Sequence, residues 1–344
     1  MTLKSLTTLA GAGLFLAACA TPVEPEPVAA PEWHLAIHGG AGVILRENMT
    51  PEEEAAYTAG LNAALEAGAA VLREGGSAVD AVQAAVIPME NNPLFNAGYG
   101  AVFAANGTHE LDASIMDGRD RDVGAVAGVM RVKNPILAAR AVMDKSEHVM
   151  FAGPGADAFA DGQGLEMVVN TYFDTDRRRE ALDRLLEARE GKPLAALRSD
   201  EERFGTVGAV AIDSEGNLAA ATTTGGMTAK APGRVGDAPL IGAATYAENG
   251  VCAVSATGHG EYFIRVGVAK TICDRMKFTG ESVGEAAAVA LGEVADLGGD
   301  GGVIVIDGAG NVDFVFNSPG MYRGEISAAG SSTGIFREPV EGDE

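Results

Sequence analysis

The run Gly205-Thr206-Val207-Gly208-Ala209-Val210-Ala211-Ile212 opens an apolar strand on a threonine with glycines close by on either side. Such a threonine has little side-chain cover from its neighbours, so its hydroxyl and the peptide bond before it are expected to be unusually accessible. Were the Gly205–Thr206 bond cut, the new α-amine would lie within reach of the hydroxyl on the same residue and act as its general base. One residue would then supply both nucleophile and base. Threonine is also an ordinary strand residue, because β-branched side chains suit a pleated surface, and the tripeptide alone does not separate the two readings. The residues that follow favour chemistry. Thr222-Thr223-Thr224-Gly225-Gly226-Met227-Thr228 ends a second apolar run in clustered hydroxyls and glycines, and Arg234-Val235-Gly236-Asp237 sets a cation and an anion three residues apart in a loop. Between the two runs, Asp213-Ser214-Glu215-Gly216-Asn217 reads as a hairpin turn, since Gly and Asn accept positive φ. The hairpin should bring Thr206 and Thr224 together.

Taken together, Gly-Thr-Val-Gly-Ala-Val, Thr-Thr-Thr-Gly-Gly-Met-Thr, Pro-Gly-Arg-Val-Gly-Asp and Ala256-Thr257-Gly258-His259-Gly260-Glu261 resemble the plant-type asparaginase and isoaspartyl peptidase family of N-terminal nucleophile hydrolases. His38-Gly39-Gly40-Ala41-Gly42 and Asn92-Pro93-Leu94-Phe95-Asn96-Ala97-Gly98-Tyr99-Gly100 extend the likeness, which runs from about Trp33 to about Arg337. The resemblance implies a four-layer αββα sandwich, an α/β fold in which two stacked, mainly antiparallel sheets are covered by helices. It implies a chain that cuts itself into an α-chain, 33–205, and a β-chain, 206–344. It implies hydrolysis of β-aspartyl amides with no catalytic cofactor, by a dimer of αβ heterodimers.

Carried over position by position, Thr206 would be nucleophile, Thr224 would tune it by a hydrogen bond, and Thr257 with Gly258 would form the oxyanion site. Arg234 would hold the substrate carboxylate bidentately and Asp237 the ammonium, with Asn96 brought close to the nucleophile. The family's sodium site would use the backbone carbonyls of Met89, Glu90, Asn92, Phe95, Ala97 and Tyr99, an oxygen set suited to a hard cation. His259 is a departure from some bacterial members, which carry Thr there, and leaves substrate preference open. Glycosylasparaginase is the rival enzyme, though it usually has Asp where this chain has Gly205. A non-catalytic periplasmic lipoprotein that holds an amino acid through Arg234 and Asp237 is the rival of another class.

The bulk properties narrow the partners. A chain of 344 residues, 47% hydrophobic, is long enough for a large core, and a formal net charge of −23 argues against nucleic acid and anionic membrane surfaces. A small-molecule substrate fits better. The Gly-rich His38 loop lacks the Lys-Ser/Thr of a phosphate-binding loop, so no nucleotide is implied; His38 itself reads as structural, since the threonine already has its base.

The ends and the cysteines read differently. Residues 1–20 form an export signal: Lys4, an apolar stretch from Leu6 to Ala18, and small residues around Cys19. Leu16-Ala17-Ala18-Cys19 looks like a lipobox in which Cys19 is lipidated; Ala18-Cys19-Ala20 also fits ordinary cleavage. Residues 21–32, with four prolines among 21–31, form a tether, so the protein is expected in the periplasm, held to the membrane only through a lipid anchor. Cys252 and Cys273 lie in apolar segments, have no zinc spacing, and read as core packing rather than as a disulfide.

The supporting elements follow from local signals. Thr50-Pro51-Glu52-Glu53 is a helix start with an N-cap, Pro at N1 and Glu at N3, leading an αα pair that runs to Arg73 and then from Ser77 to about Pro88. Hairpins are expected around Asp117-Gly118 and from Gly301 to Phe316, and helices over Ile136 to Met143 and Glu261 to Lys277.

Overall fold

Alternation of side chains about each strand sets the layers of the computed structural model, which describes residues 32–188 and 205–337. The larger sheet has eight strands in the order β12-β11-β1-β5-β6-β2-β3-β4, namely Gly330–Phe336, Gly320–Ser327, His34–Gly42, Val207–Ile212, Leu218–Thr224, Leu111–Asp117, Val123–Val129 and Met150–Ala152. The smaller has β10 (Val312–Phe316), β9 (Gly301–Asp307), β8 (Cys252–Gly258) and β7 (Thr245–Glu248). All neighbours are antiparallel except β3 and β4.

In the central strands of the larger sheet, Leu35, Ile37, Ala209, Ala211, Ala219 and Ala221 face one buried core, while Ala36, Val210, Ile212, Leu218 and Ala220 face another that fills the space between the sheets. This period of two is what a sheet buried on both faces requires. Helices α1 (Pro51–Arg73) and α2 (Ala78–Glu90) cover the first face, and α7 (Val268–Thr279) and α8 (Val283–Asp296) cover the smaller sheet. The result is the four-layer αββα sandwich. Helices α3 (Pro135–Lys145), α4 (Gly153–Gly162), α5 (Asp176–Ala188) and α6 (Gly260–Val266) complete it.

The helix start at Thr50 forms as expected: its hydroxyl accepts from Glu53 N–H at 3.2 Å and Glu53 Oε2 accepts from Thr50 N–H at 2.8 Å, a reciprocal cap worth about 1 kcal/mol. The single helix expected over Glu261 to Lys277 is instead two, α6 and α7, because Gly267 adopts φ 66 between them. A second correction concerns the cysteines. Cys252 at the start of β8 and Cys273 on α7 have Cα atoms 5.7 Å apart and form a disulfide. Both are also buried in the core, so apolar surroundings did not distinguish packing from pairing. Cys19, the export signal and residues 21–31 of the tether lie outside the described residues.

Candidate active site

Register delivers the first pair of hydroxyls. β5 and β6 pair Val207 with Thr223, which sets Thr206, just before β5, beside Thr224 at the end of β6. Thr206 Oγ1 donates to Thr224 Oγ1 at 3.1 Å, and the Thr224 hydroxyl also accepts from Gly226 N–H at 2.9 Å. The expected accessibility of Thr206 is not observed: it is only 6% exposed. Its cover comes from elsewhere in the chain. Asn96 packs against Gly205, donates Nδ2–H to Gly226 O at 2.7 Å and accepts from Val102 N–H at 3.0 Å. On the other side, Gly40 of β1, at φ 113, lies so close to Gly205 that a Cβ there would meet the Gly205 backbone at 2.5 Å. Only glycine fits at that approach.

The same β1 segment reaches the proposed oxyanion residues. Ala41 N–H donates to Thr257 Oγ1 at 3.2 Å, so the Thr257 hydroxyl keeps its own proton to give. Gly258 follows at the end of β8, paired with Gly301, and a side chain there would strike the Phe263 ring and Asp300 O. Thus Gly205, Thr206, Thr224, Asn96 and Thr257 gather around the C-terminal end of β1.

The charged groups sit in the loop between β6 and β7. Arg234 makes a bidentate pair with Glu261 of α6, with both N–O distances 2.9 Å. Asp237 is fully buried, its Oδ2 has no hydrogen-bond partner, and burial pushes its carboxyl up to about 7 against the pull of Arg234. Gly260 lies directly against both, where a Cβ would meet Asp237 Oδ1 at 2.8 Å and Arg234 Nη2 at 3.0 Å. A carboxyl acceptor short of partners thus stands beside a guanidinium. The family model described as asparaginase matches residues 31–335. The chain belongs to this asparaginase family. It is 50% identical over 310 residues to the isoaspartyl peptidase of Escherichia coli K12, covering 88% of this chain and 96% of that protein. It is 49% identical over 311 residues to that of Salmonella typhimurium, covering 88% and 98%. To the isoaspartyl peptidase/L-asparaginase of Xenopus laevis it is 43% identical over 303 residues, covering 88% and 94%. The sandwich is therefore that of the N-terminal nucleophile hydrolases.

Other charged side chains in this region were given no side-chain role by the sequence. Glu261 stands 27 residues from Arg234 and occupies its fork. Lys230 is buried, donates Nζ–H to Glu110 O at 2.7 Å, and is held below its ordinary range chiefly by that burial. Asp112, opposite Thr224 on β2, is buried with one oxygen unpartnered and its carboxyl raised by desolvation. Glu90 carries a further buried carboxyl, pushed up to about 7 by desolvation although it accepts from Thr223 Oγ1, Asn134 Nδ2 and Ile136 N–H. Among the described residues, no cluster of His, Cys, Asp or Glu side chains forms a metal site.

Proposed function

We propose that this chain is a self-cleaving hydrolase of β-aspartyl amide bonds, acting on isoaspartyl dipeptides and asparagine through Thr206 as an N-terminal nucleophile. The observation that supports the reading is a threonine pair, Thr206 and Thr224 at 3.1 Å, whose Thr224 lies opposite Asp112, a carboxyl that in turn feels the charges of Arg234 and Asp237. A β-aspartyl substrate has a free α-carboxylate and α-ammonium next to the carbonyl under attack. Arg234 takes the first by exchanging Glu261 for it, and Asp237 takes the second with its unpartnered oxygen. The Thr206 α-amine accepts the hydroxyl proton as Oγ1 bonds to the β-carbonyl carbon, and Thr257 and Gly258 stabilise the oxyanion, each donor being worth about 3 kcal/mol. The proton passes to the leaving amine as the C–N bond breaks. Water then attacks the threonyl ester, giving aspartate and restoring Thr206. Self-cleavage uses the same hydroxyl on the Gly205 carbonyl.

The full threonine set is more than binding needs, which weighs against the amino-acid-binding alternative; Gly205 in place of Asp weighs against glycosylasparaginase. Kinetics on asparagine, β-Asp-Leu, glutamine and an α-carboxyl ester of asparagine test the reading. The first two should turn over. Rapid turnover of glutamine or of the ester would sink the zwitterion receptor.

The loop carbonyls of Met89, Glu90, Asn92, Phe95, Ala97 and Tyr99 would hold a sodium ion. Their donor set is all oxygen, and Gly98 and Gly100 leave space where a Cβ would strike Glu90 O and Phe95 O. The ion would brace the turn that presents Asn96 and supply no chemistry to the substrate. The tether and lipobox support an exported, Cys19-anchored protein, and the family resemblance supports a dimer of αβ heterodimers. Palmitate labelling lost in Cys19→Ser would bear out the anchor; an unlabelled wild type would refute it.

A further inference from the structure

The nucleophile is gripped from a second direction by a buried chain of neutral groups that the proposed reaction leaves unused. His38 of β1 sets Nδ1 3.0 Å from the Thr206 carbonyl oxygen and Nε2 2.9 Å from Ser255 Oγ. A carbonyl only accepts, so Nδ1 carries the proton and Nε2 is left as an acceptor for the Ser255 hydroxyl, whose one hydrogen is shared with Ala221 O at 3.1 Å. Complete burial drives the imidazole down to about 3, which keeps it neutral at working pH. Ser255 Oγ lies 2.7 Å from Thr222 Oγ1, which accepts from Thr245 Oγ1 at 2.6 Å. Thr245 in turn contacts Ser114 Oγ at 2.8 Å, and Ser114 donates to Ala238 O at 2.6 Å. The chain thus runs from the nucleophile through both sheets to the residue after Asp237. β5 makes room for it, since a Cβ on Gly208 would run into Ser255 Oγ and His38 Nε2. A glycine inside a strand weakens it, and a close approach of other groups is the usual reason to find one there.

Cleavage changes what holds Thr206. Before it, peptide bonds fix the residue on both sides; afterwards only Val207, locked in the sheet opposite Thr223, remains. Rotation about the Val207 N–Cα bond would then swing the Thr206 carbonyl, amine and hydroxyl together, and one 3.1 Å contact to Thr224 leaves a pivot. We propose that His38 is a positioning residue: its Nδ1–H, bonded to the Thr206 carbonyl oxygen, fixes that rotation in the cleaved enzyme and so aims the amine and hydroxyl at the substrate carbonyl. This inference rests on the reading of Thr206 as an N-terminal nucleophile.

Three variants test it, with kinetics counted per cleaved chain and thermal melts run alongside. The amide nitrogen of Asn can stand near the place of Nδ1, whereas that of Gln reaches toward Nε2. His38→Gln should lower kcat by about tenfold to a hundredfold with KM within about twofold, the scale of a small misplacement of reacting groups. His38→Asn should recover most of that loss, and Ser255→Ala should lower kcat by about threefold to tenfold at unchanged KM. Equal losses in the Asn and Gln variants, whether of cleavage or of turnover, would overturn the proposal. So would a loss confined to KM, or three variants that match wild type. Should His38→Gln fail to fold, Ser255→Ala decides, and its kcat must fall at unchanged KM. Thr206→Ala is the control: a Thr206→Ala chain that still hydrolyses substrate removes the nucleophile reading itself, whereas an inactive one beside a wild-type-like His38→Gln removes only the role of His38.

Discussion

The proposed nucleophile side of the site is made of neutral hydroxyls on strands, while the proposed receptor side is made of charges on a loop and a helix start. Thr206, Thr224, Thr222 and Ser255 are all buried and take their positions from sheet register. Arg234 and Asp237 come from the segment after β6 and Glu261 from α6, with Arg234 paired to Glu261 and Asp237 Oδ2 left unpartnered. Hydrogen bonds between neutral groups act only at close, aligned contact, which a paired sheet provides. Charge pairs tolerate rearrangement but answer to pH and desolvation. The division teaches that bond breaking and recognition should respond to different perturbations.

The largest effect is expected on the neutral side. Thr206→Ala should remain full length and lose at least about 10⁴-fold in kcat, because nucleophile and base vanish together; mass spectrometry and an ammonia-release assay check both. On the charged side, Arg234→Ala should cost kcat/KM about 2–5 kcal/mol, the penalty of leaving a buried carboxylate unpaired. Self-cleavage should survive that change, since the Gly205 peptide has no α-carboxylate to hold. A variant that also stops cleaving itself would erase the division.

Titration sharpens the same contrast. Asp237 must be ionised to take an ammonium, and burial raises it from 3.8 to about 7. As pH falls below about 7, kcat/KM should therefore drop by up to about tenfold per unit on account of this group. The bound ammonium pulls the carboxyl back down, so this limb should be missing from kcat, where only the Thr206 amine remains to titrate. Arg234→Ala should move the Asp237 limb to higher pH, because Arg234 is what opposes the rise. pH profiles of kcat and kcat/KM in which both lack the limb would contradict it.

The smallest effect on turnover is expected from the disulfide. Cys252 and Cys273 are 21 residues apart, a loop whose closure is worth about 3 kcal/mol in the chain-entropy account. Cys252→Ser with Cys273→Ser should lower the melting temperature while leaving kcat nearly unchanged, because the bridge ties the far end of β8 to α7. A large loss of kcat at intact fold would show that the bridge also shapes the Thr257 end.

What the sequence made legible was what depends on neighbours. The hairpin at Asp213 to Asn217 rests on turn chemistry, and Asp213 Oδ1 indeed accepts from Glu215 N–H at 3.0 Å and Asn217 N–H at 2.9 Å. The Thr50 cap, the strand alternation and the approach of Thr206 to Thr224 follow from equally short-range rules. What stayed hidden depends on distant chain. Glycines beside Thr206 suggested exposure, whereas Asn96 and Gly40 bury it from more than a hundred residues away. Cys273 reaches Cys252 because α7 folds back over the smaller sheet, and Glu261 reaches Arg234 from the start of α6, 27 residues on. Lys230 and Asp112 lie in segments whose pattern gives no hint that a charge is buried there.

The central claim is that Thr206 becomes a chain terminus before it becomes a catalyst. Intact-mass spectrometry of the purified, active protein tests this directly, with N-terminal sequencing of its fragments. Two fragments are expected, one ending at Gly205 and one beginning at Thr206, with activity rising in step with their appearance. Full activity in a protein whose mass shows the Gly205–Thr206 bond intact would contradict it.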